Sequence, residues 1–300
     1  MTNFNRINPL HFLLFCIITN SGGEGKTAIA QILLALMKLG GSIPFVLDSD
    51  PGNLALKELY NKARVLGWGA KVLQVPDIMA QLSNHDALID TGANTFASGT
   101  EIAEVLPAIE QACRALNYLS VAFLPVTPSK SGNAGSIQGL FGKINFMQKF
   151  IVLNDRDGSN VFDPALLQLP HIKLAYLEPG YQQYLLQYKG DLCDAIMTPT
   201  PDFEVAAAHI AYWLIDFASQ PAIQSLMGST PVTALLAKFP NRPAKNSIVA
   251  RTMDQVTNVA LQNAAHKTKI VEGLHRVGWT LDGLETLAAE MRAAALVSIP

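Results

Sequence analysis

The chain alternates short continuous runs of apolar residues with segments in which apolar residues recur at helical spacing. Continuous apolar runs are typical of strands that are buried on both faces of a parallel sheet. They predict strands near residues 10–18, 43–48, 87–90, 118–125, 150–153 and 172–177. The helical spacing predicts helices near residues 27–39, 54–66, 101–116, 134–148 and 202–219. This alternation indicates an α/β fold, a mainly parallel sheet with helices on both faces.

The first apolar run, over residues 10–18, follows Arg6 and so shares two features of a signal peptide. It lacks a small-residue cleavage site and leads directly into a glycine-rich turn, which favours a buried strand instead. No apolar run reaches the ~18 residues of a membrane span. The three cysteines lie far apart, without disulfide-rich or metal-binding spacing. We therefore expect a reduced, cytoplasmic protein.

The composition changes near residue 225. The whole chain of 300 residues is 49% hydrophobic and 15% charged, enough for a sizeable core, and its net charge of −2 gives no global attraction to nucleic acid. Residues 225–300, however, carry eight Lys and Arg against five Asp and Glu and have helical spacing only. This predicts a main domain over residues 1–224 and a helical extension over residues 225–300. Extra helices packed on the main domain are the alternative.

The most specific motif is a glycine-rich turn between the first strand and the first helix. We call it the phosphate loop, and it reads Asn20-Ser21-Gly22-Gly23-Glu24-Gly25-Lys26-Thr27. Glycines allow successive backbone N–H groups to face a phosphate at a helix N-terminus. Lys26 would reach the β- and γ-phosphates, and the Thr27 hydroxyl would hold magnesium. The turn predicts a nucleotide site formed by residues 21–27, the alternative being a glycine-rich turn with a solvated lysine.

Carboxylates follow the next two predicted strands. Asp48 and Asp50 come at the end of the second strand, and Asp90 ends the third. The carboxyl ends of parallel strands meet at one edge of a sheet, where ligands bind. Phosphoryl transfer requires a metal ion held against the phosphates. We therefore predict that Thr27 binds Mg²⁺, that Asp90 binds it directly or through water, and that Asp48 supports the same metal site.

Together these segments resemble the deviant Walker-A ATPases of the ParA/MinD type, within the SIMIBI class of P-loop NTPases. Members of that group have Lys-Gly-Gly-x-Gly-Lys-Thr/Ser, then Asp-x-Asp-Pro, then an Asp that ends the next core strand. Matching segments lie at residues 21–27, 48–53 and 88–93, and the resemblance covers about residues 12–220. Within the group, Asp-Pro-x-Asn and Ile-Asp-x-Gly-Ala with the following Phe96 look most like the TraL-type and StbB-type proteins of conjugative plasmids.

The resemblance implies an ATPase that uses Mg²⁺ and whose nucleotide state controls association with a partner in plasmid partition or conjugative transfer. That partner would be DNA or a partition or transfer protein. The resemblance also implies an ATP-dependent homodimer, catalysis by Lys26 and Asp50, with Asp50 orienting the attacking water, and a contact of Asn154 with the adenine edge. Because Asp155 stands where guanine-reading Asn-Lys-x-Asp motifs have lysine, we expect ATP rather than GTP.

Ser21 departs from the family pattern, which has a lysine there that reaches the nucleotide of the opposite subunit. Serine donates a hydrogen bond but cannot neutralise charge on the transferring phosphoryl group, so we expect slow hydrolysis and a weakened dimer. Lys130 and Arg156 are nearby candidates for a substitute cation. Two other functions remain open: a dethiobiotin-synthetase-like ATP-dependent ligase, which would need a substrate pocket over the γ-phosphate, and a nucleotide-binding scaffold without turnover.

The charge of residues 225–300 generates a prediction about DNA. A solvated basic surface is the simpler interpretation, and it predicts equal retention on DNA of the full chain and of residues 1–224 at low salt. Phosphate contacts made by the extension would instead give the full chain a greater retention that falls steeply with added salt. Chromatography of both proteins on immobilised DNA over a salt series measures the difference.

Overall fold

The computed structural model describes residues 8, 10–19, 21–50, 54–65, 79–80, 82, 85–92, 101–178, 181, 191–201 and 204–243. The chain divides into two compact units. One comprises Met1–Leu177 with Leu185–Asn241, and the other comprises Glu178–Tyr184 with Arg242–Pro300. All the described helices and strands belong to the first unit.

Seven strands form a single sheet in which every neighbouring pair is parallel. In chain order they are β1 (Phe12–Ile17), β2 (Phe45–Ser49), β3 (Arg64–Val65), β4 (Ala87–Thr91), β5 (Tyr118–Val126), β6 (Gln148–Asn154) and β7 (His171–Leu174). Their order across the sheet is β3-β2-β4-β1-β5-β6-β7. The central strand β1 is buried along its whole length, as expected for a strand with neighbours on both sides and both faces covered. The predicted α/β fold with a parallel sheet is confirmed.

Helices cover both faces of this sheet. They are α1 (Lys26–Leu39), α2 (Ala55–Leu59), α3 (Glu101–Ala115), α4 (Ala134–Lys143), α5 (Leu192–Met197), α6 (Glu204–Ala218), α7 (Pro221–Met227) and α8 (Thr230–Lys238). Phe12, Leu14 and Cys16 of β1 join one apolar cluster with buried residues of α3 and α4. The alternate β1 residues are equally buried, and α1 packs against α5, α6 and α8. The core therefore consists of two apolar layers with the sheet between them.

Two predicted helices are too long, and lysine side chains explain where each ends. The helix predicted over residues 54–66 stops at Leu59, and the edge strand β3 follows. There the Lys57 ammonium donates to the carbonyl oxygens of Asn61 and Ala63, satisfying groups that lie beyond the helix. Similarly, α4 ends at Lys143 because Lys149, already in β6, donates to carbonyl oxygens at the helix end, 2.9 Å away in each case.

The first unit continues past the boundary predicted at residue 224. Helix α7 spans Pro221–Met227, and both α7 and α8 belong to this unit, which runs to Asn241. Residues 244–300 lie outside the described residues, so the helical extension stays a prediction. Among the described helices, none combines the length and the apolar character that crossing a bilayer requires. The three cysteines are buried free thiols.

Candidate functional site

The strand register brings the predicted carboxylates and the phosphate loop to one edge of the sheet. Asp90 pairs with Ile17 of β1 on one side and with Asp48 of β2 on the other. The phosphate loop follows β1 and leads into α1 at Lys26. Because all the strands are parallel, these groups share the carboxyl edge, where α/β sheets bind ligands.

Asp90 contacts the phosphate loop directly. The Thr27 hydroxyl donates to Asp90 Oδ2 at 3.1 Å. The other oxygen, Oδ1, is buried and has no hydrogen-bond partner among the described residues, and the whole residue is only 3% exposed. Burial raises the pKa of Asp90 to about 7; the positive charge of Lys26 opposes this rise, and the neighbouring Asp48 and Asp50 add to it.

These groups fit a magnesium ion. Mg²⁺ in nucleotide sites takes oxygen ligands, commonly one or two protein groups together with phosphate and water. Thr27 and Asp90 offer a hydroxyl and a carboxylate that are in contact. Buried polar atoms normally have a partner, and a bound ion would provide the partner that Asp90 Oδ1 lacks among the described residues. The charge of such an ion would also keep Asp90 ionised at neutral pH.

Asp48 has backbone partners instead. Its Oδ1 accepts the N–H of Asp50 at 3.2 Å, and its Oδ2 accepts the N–H of Lys57 at 2.9 Å. Burial raises the pKa of this carboxyl, and the backbone hydrogen bonds counteract that rise. Asp48 therefore shapes the turn that carries Asp50, while direct ligation of a metal by Asp48 stays a prediction.

Asp50 lies beside the end of β4. A Cβ atom added to Gly92 would lie 3.3 Å from Asp50 Oδ1, closer than most Cβ contacts. A glycine directly after β4 thus allows the Asp50 carboxylate to approach the Asp90 region. That Asp50 orients the attacking water remains a prediction. This role requires Asp50 to lie beside the predicted metal site, as it does here.

Glu24 fixes the conformation of the phosphate loop. Its carboxylate is 3% exposed; Oε1 accepts the Ser21 hydroxyl at 2.6 Å, and Oε2 accepts the N–H and hydroxyl of Thr127 at 2.8 and 3.0 Å. Thr127 directly follows β5, so Glu24 ties the loop to the neighbouring strand end. Sequence reasoning placed Glu24 in the nucleotide site but missed this clamp. The glutamate itself could have revealed the clamp. A buried carboxylate in a loop that binds anions is tolerated only where nearby groups donate hydrogen bonds to it.

Asn154, the last residue of β6, supports the loop from another strand. Its Nδ2 donates to the Glu24 carbonyl oxygen at 2.9 Å, and its side chain is buried. Gly25 has a φ of +88°, and a Cβ there would lie 2.5 Å from Asn154 Nδ2, so only glycine fits without displacing the amide. Asn154 therefore positions the loop in this structure, and its contact with adenine stays a prediction.

Three cations surround the phosphate loop. The Lys130 ammonium donates to the Gly22 carbonyl oxygen and lies 3.9 Å from Glu24 Oε1. Arg156 Nη1 donates to the Gly23 carbonyl oxygen at 3.1 Å. Lys26 forms no hydrogen bond or salt bridge with any residue that the structure describes, which leaves its ammonium available to an anion. Asn20, the first residue of the motif, lies outside the described residues.

A cavity of about 320 Å³ opens beside the loop. Ser21, Glu24 and Lys130 form its polar end, and its apolar walls are Ile18, Leu124, Val126, Ile137 and Leu140. This volume is at the lower end of the range for small-molecule sites. No sequence motif indicated the cavity, because its walls come from β5, α4 and the residue after β1, which are far apart in the chain.

No family model matches the chain, and no curated protein matches its sequence. Among solved structures, the MinD cell division protein of Aquifex aeolicus is 17% identical, with coverage of 77% of this chain and 99% of MinD and a TM-score of 0.42. MinD of Pyrococcus horikoshii, solved with Mg-ADP, is 14% identical over 73% and 94% of the two chains, with a TM-score of 0.37. The cell division protein FtsY of Thermotoga maritima is 14% identical, with a TM-score of 0.35; the match covers 58% of this chain and 65% of FtsY. These distant similarities assign no activity to the chain.

The burial of Asp90 predicts how stability changes with pH. In the folded chain its pKa is about 7, above the ordinary value of 3.8 that applies when the chain is unfolded. Folding therefore takes up a proton between these values, so this carboxyl lowers the free energy of unfolding as pH rises toward 7. Asp90→Asn should raise that free energy relative to wild type by at least about 1 kcal/mol more at about pH 8 than at about pH 5. Urea unfolding in chelator measures this difference, and equal effects at both pH values would contradict the prediction.

Proposed function

We propose that this chain is a ParA/MinD-like, Mg²⁺-dependent ATPase whose nucleotide state controls its association with a partner. The contact between the Thr27 hydroxyl and Asp90 carries the proposal. It joins the phosphate loop to the strand-end carboxylate and leaves one buried carboxylate oxygen without a protein partner among the described residues. A structural turn gains nothing from such an oxygen, whereas a metal-nucleotide site uses it.

Phosphate binding would rest on the loop backbone and Lys26. Helix α1 begins after Gly25 without a side-chain cap, so the N–H groups of its first turn remain available to an anion. The helix dipole favours negative charge at the same place. The Lys26 ammonium, which has no hydrogen-bond or salt-bridge partner among the described residues, would add a full positive charge next to the β- and γ-phosphates.

Thr27 and Asp90 would hold Mg²⁺, which when bound neutralises charge on the phosphates during transfer of the γ-phosphoryl group. Asp50 would accept a hydrogen bond from the attacking water and so orient it toward the phosphorus atom. Asp48 holds the turn that carries Asp50 through two backbone N–H groups. Glu24 and Asn154 keep the loop in place from the ends of β5 and β6, so little reorganisation accompanies binding.

The biological setting belongs to the same proposal. We assign the chain to plasmid partition or conjugative transfer, near the TraL-type and StbB-type proteins, on the sequence segments around Asp50 and Asp90. Its partner would be DNA or a partition or transfer protein, and ATP would favour a homodimer. Ser21 is uncharged and its hydroxyl donates to Glu24, so this loop position offers no cation to a second subunit. Slow turnover and weak dimerisation follow.

The cavity beside the loop favours a second candidate function, an ATP-dependent ligase of the dethiobiotin-synthetase kind. Such an enzyme needs an acceptor substrate near the γ-phosphate, and the polar end of the cavity consists of phosphate-loop residues with Lys130. The two functions differ in a simple assay. A partner-controlled ATPase releases phosphate from Mg-ATP alone, whereas a ligase does so only when its acceptor is added.

Replacement of Lys26 tests the nucleotide site. Lys26→Ala should weaken Mg-ATP binding at least about tenfold, because a charge-assisted contact contributes about 1.5–3 kcal/mol, while the fold stays intact. Lys62→Ala, which removes an exposed lysine in the turn before β3, is the matched control. Isothermal titration calorimetry measures both affinities. Unchanged binding in the Lys26 variant would refute the assignment of the phosphate loop.

Replacement of Asp50 tests the chemistry separately from binding. Asp50→Ala should lower the rate of phosphate release at least about a hundredfold, the usual contribution of a positioned proton acceptor, while Mg-ATP affinity changes little. Glu204→Ala removes an exposed carboxylate at the start of α6 and should leave the rate unchanged. A phosphate-release assay at saturating Mg-ATP provides the measurement, and a wild-type rate in the Asp50 variant would remove Asp50 from the mechanism.

A further inference from the structure

We infer that Lys130 is a ligand of the nucleotide phosphates, supplying from the same chain the positive charge that the loop lacks at Ser21. The inference rests on the proposed function and extends it to a residue outside the phosphate loop. Lys130 lies in the short 3₁₀ helix Pro128–Asn133 that follows β5. Its ammonium donates to the carbonyl oxygen of Gly22, which places its charge on the loop.

A continuous chain of polar contacts holds the ammonium there. The Ser21 hydroxyl donates to Glu24 Oε1 at 2.6 Å, and the same oxygen lies 3.9 Å from Lys130 Nζ. Serine and glutamate in the loop are thus linked to the lysine outside it. The three residues therefore form one connected arrangement.

Glu24 attracts Lys130 without neutralising it in a tight ion pair. Its carboxylate already accepts three hydrogen bonds, from the Ser21 hydroxyl and from the N–H and hydroxyl of Thr127. The 3.9 Å separation is at the outer limit of an ion pair. The Lys130 side chain is 38% exposed, and an ammonium has three N–H donors, of which Gly22 takes one. No other described residue accepts a hydrogen bond from this ammonium, which leaves two donors for a phosphate oxygen.

The backbone that carries Lys130 is positioned by the same clamp. Thr127, whose N–H and hydroxyl both bond Glu24, also accepts the N–H of Lys130 at 3.1 Å through its carbonyl oxygen. A Cβ on Gly23 would lie 3.6 Å from Lys130 Nζ, so the ammonium lies against the Gly22–Gly23 part of the loop.

The test uses the full chain and a double-mutant cycle. Lys130→Met removes the charge and keeps the apolar stem, Lys130→Arg retains the charge, and Ser21→Lys adds a cation at the loop. Lys143→Met, which removes an exposed lysine at the end of α4, is the control. Calorimetry gives the affinities for Mg-ATP and Mg-ADP, steady-state kinetics separate KM from kcat, and thermal unfolding reports on the fold.

We expect Lys130→Met to weaken Mg-ATP binding about tenfold or more and Mg-ADP binding less, because ATP carries the additional charged phosphoryl group. Lys130→Arg should keep most of the affinity. In the Lys130→Met background, Ser21→Lys should restore at least half of the lost affinity, because it returns a positive charge to the loop. A purely structural lysine would instead lower the melting temperature, affect ATP and ADP equally and gain nothing from Ser21→Lys.

Two outcomes would overturn the inference, and they are distinguishable. A folded wild-type chain that binds no Mg-ATP would overturn the proposed function and this inference with it. Tight wild-type binding that is unchanged in Lys130→Met would overturn the inference alone.

Discussion

The burial of the Asp90 carboxylate at the middle of the sheet is the constraint on which the site depends. A buried carboxylate with one oxygen that lacks a partner among the described residues costs free energy, and its raised pKa expresses that cost. The apolar strand β1 beside it, buried along its length, offsets the cost through hydrophobic burial. Thr27 and Lys26 reduce the cost locally. Costly buried groups of this kind are common in functional sites, where a ligand supplies the missing partner. The same carboxylate would therefore affect both the stability of the sheet and the chemistry at its edge.

The phosphate loop owes its conformation to side chains as much as to its glycines. Gly25 permits the left-handed turn and the close approach of Asn154, but Glu24 and Asn154 attach the loop to β5 and β6. These attachments come from strands more than a hundred residues further along the chain. The site is therefore completed only when the sheet is fully assembled, and its geometry is preorganised by the tertiary fold rather than by the local sequence.

The fold and the central residues could be predicted from the sequence because they depend on local patterns. Apolar runs predicted the parallel strands, and strand ends predicted the positions of Asp48, Asp50 and Asp90. The ends of α2 and α4 were mispredicted because Lys57 and Lys149 satisfy carbonyl groups through contacts that periodicity does not contain. The cavity and the Glu24 clamp were missed for the same reason, since they join residues that follow β1 to residues of β5 and α4 and to Thr127, which only the fold brings together.

Ser21 and Lys130 together determine whether the positive charge near the phosphates would come from the same chain or from a second subunit. The resemblance to ParA/MinD-type ATPases implies that a lysine at position 21 would serve the nucleotide of a second subunit and so make nucleotide chemistry depend on dimerisation. A cation held on the loop by the same chain would serve its own nucleotide and remove that dependence. Under the proposal for Lys130, the arrangement of Ser21, Glu24 and Lys130 would favour nucleotide binding by the monomer. A partner would then recognise a surface that nucleotide binding changes. It would not be needed to complete the phosphate site.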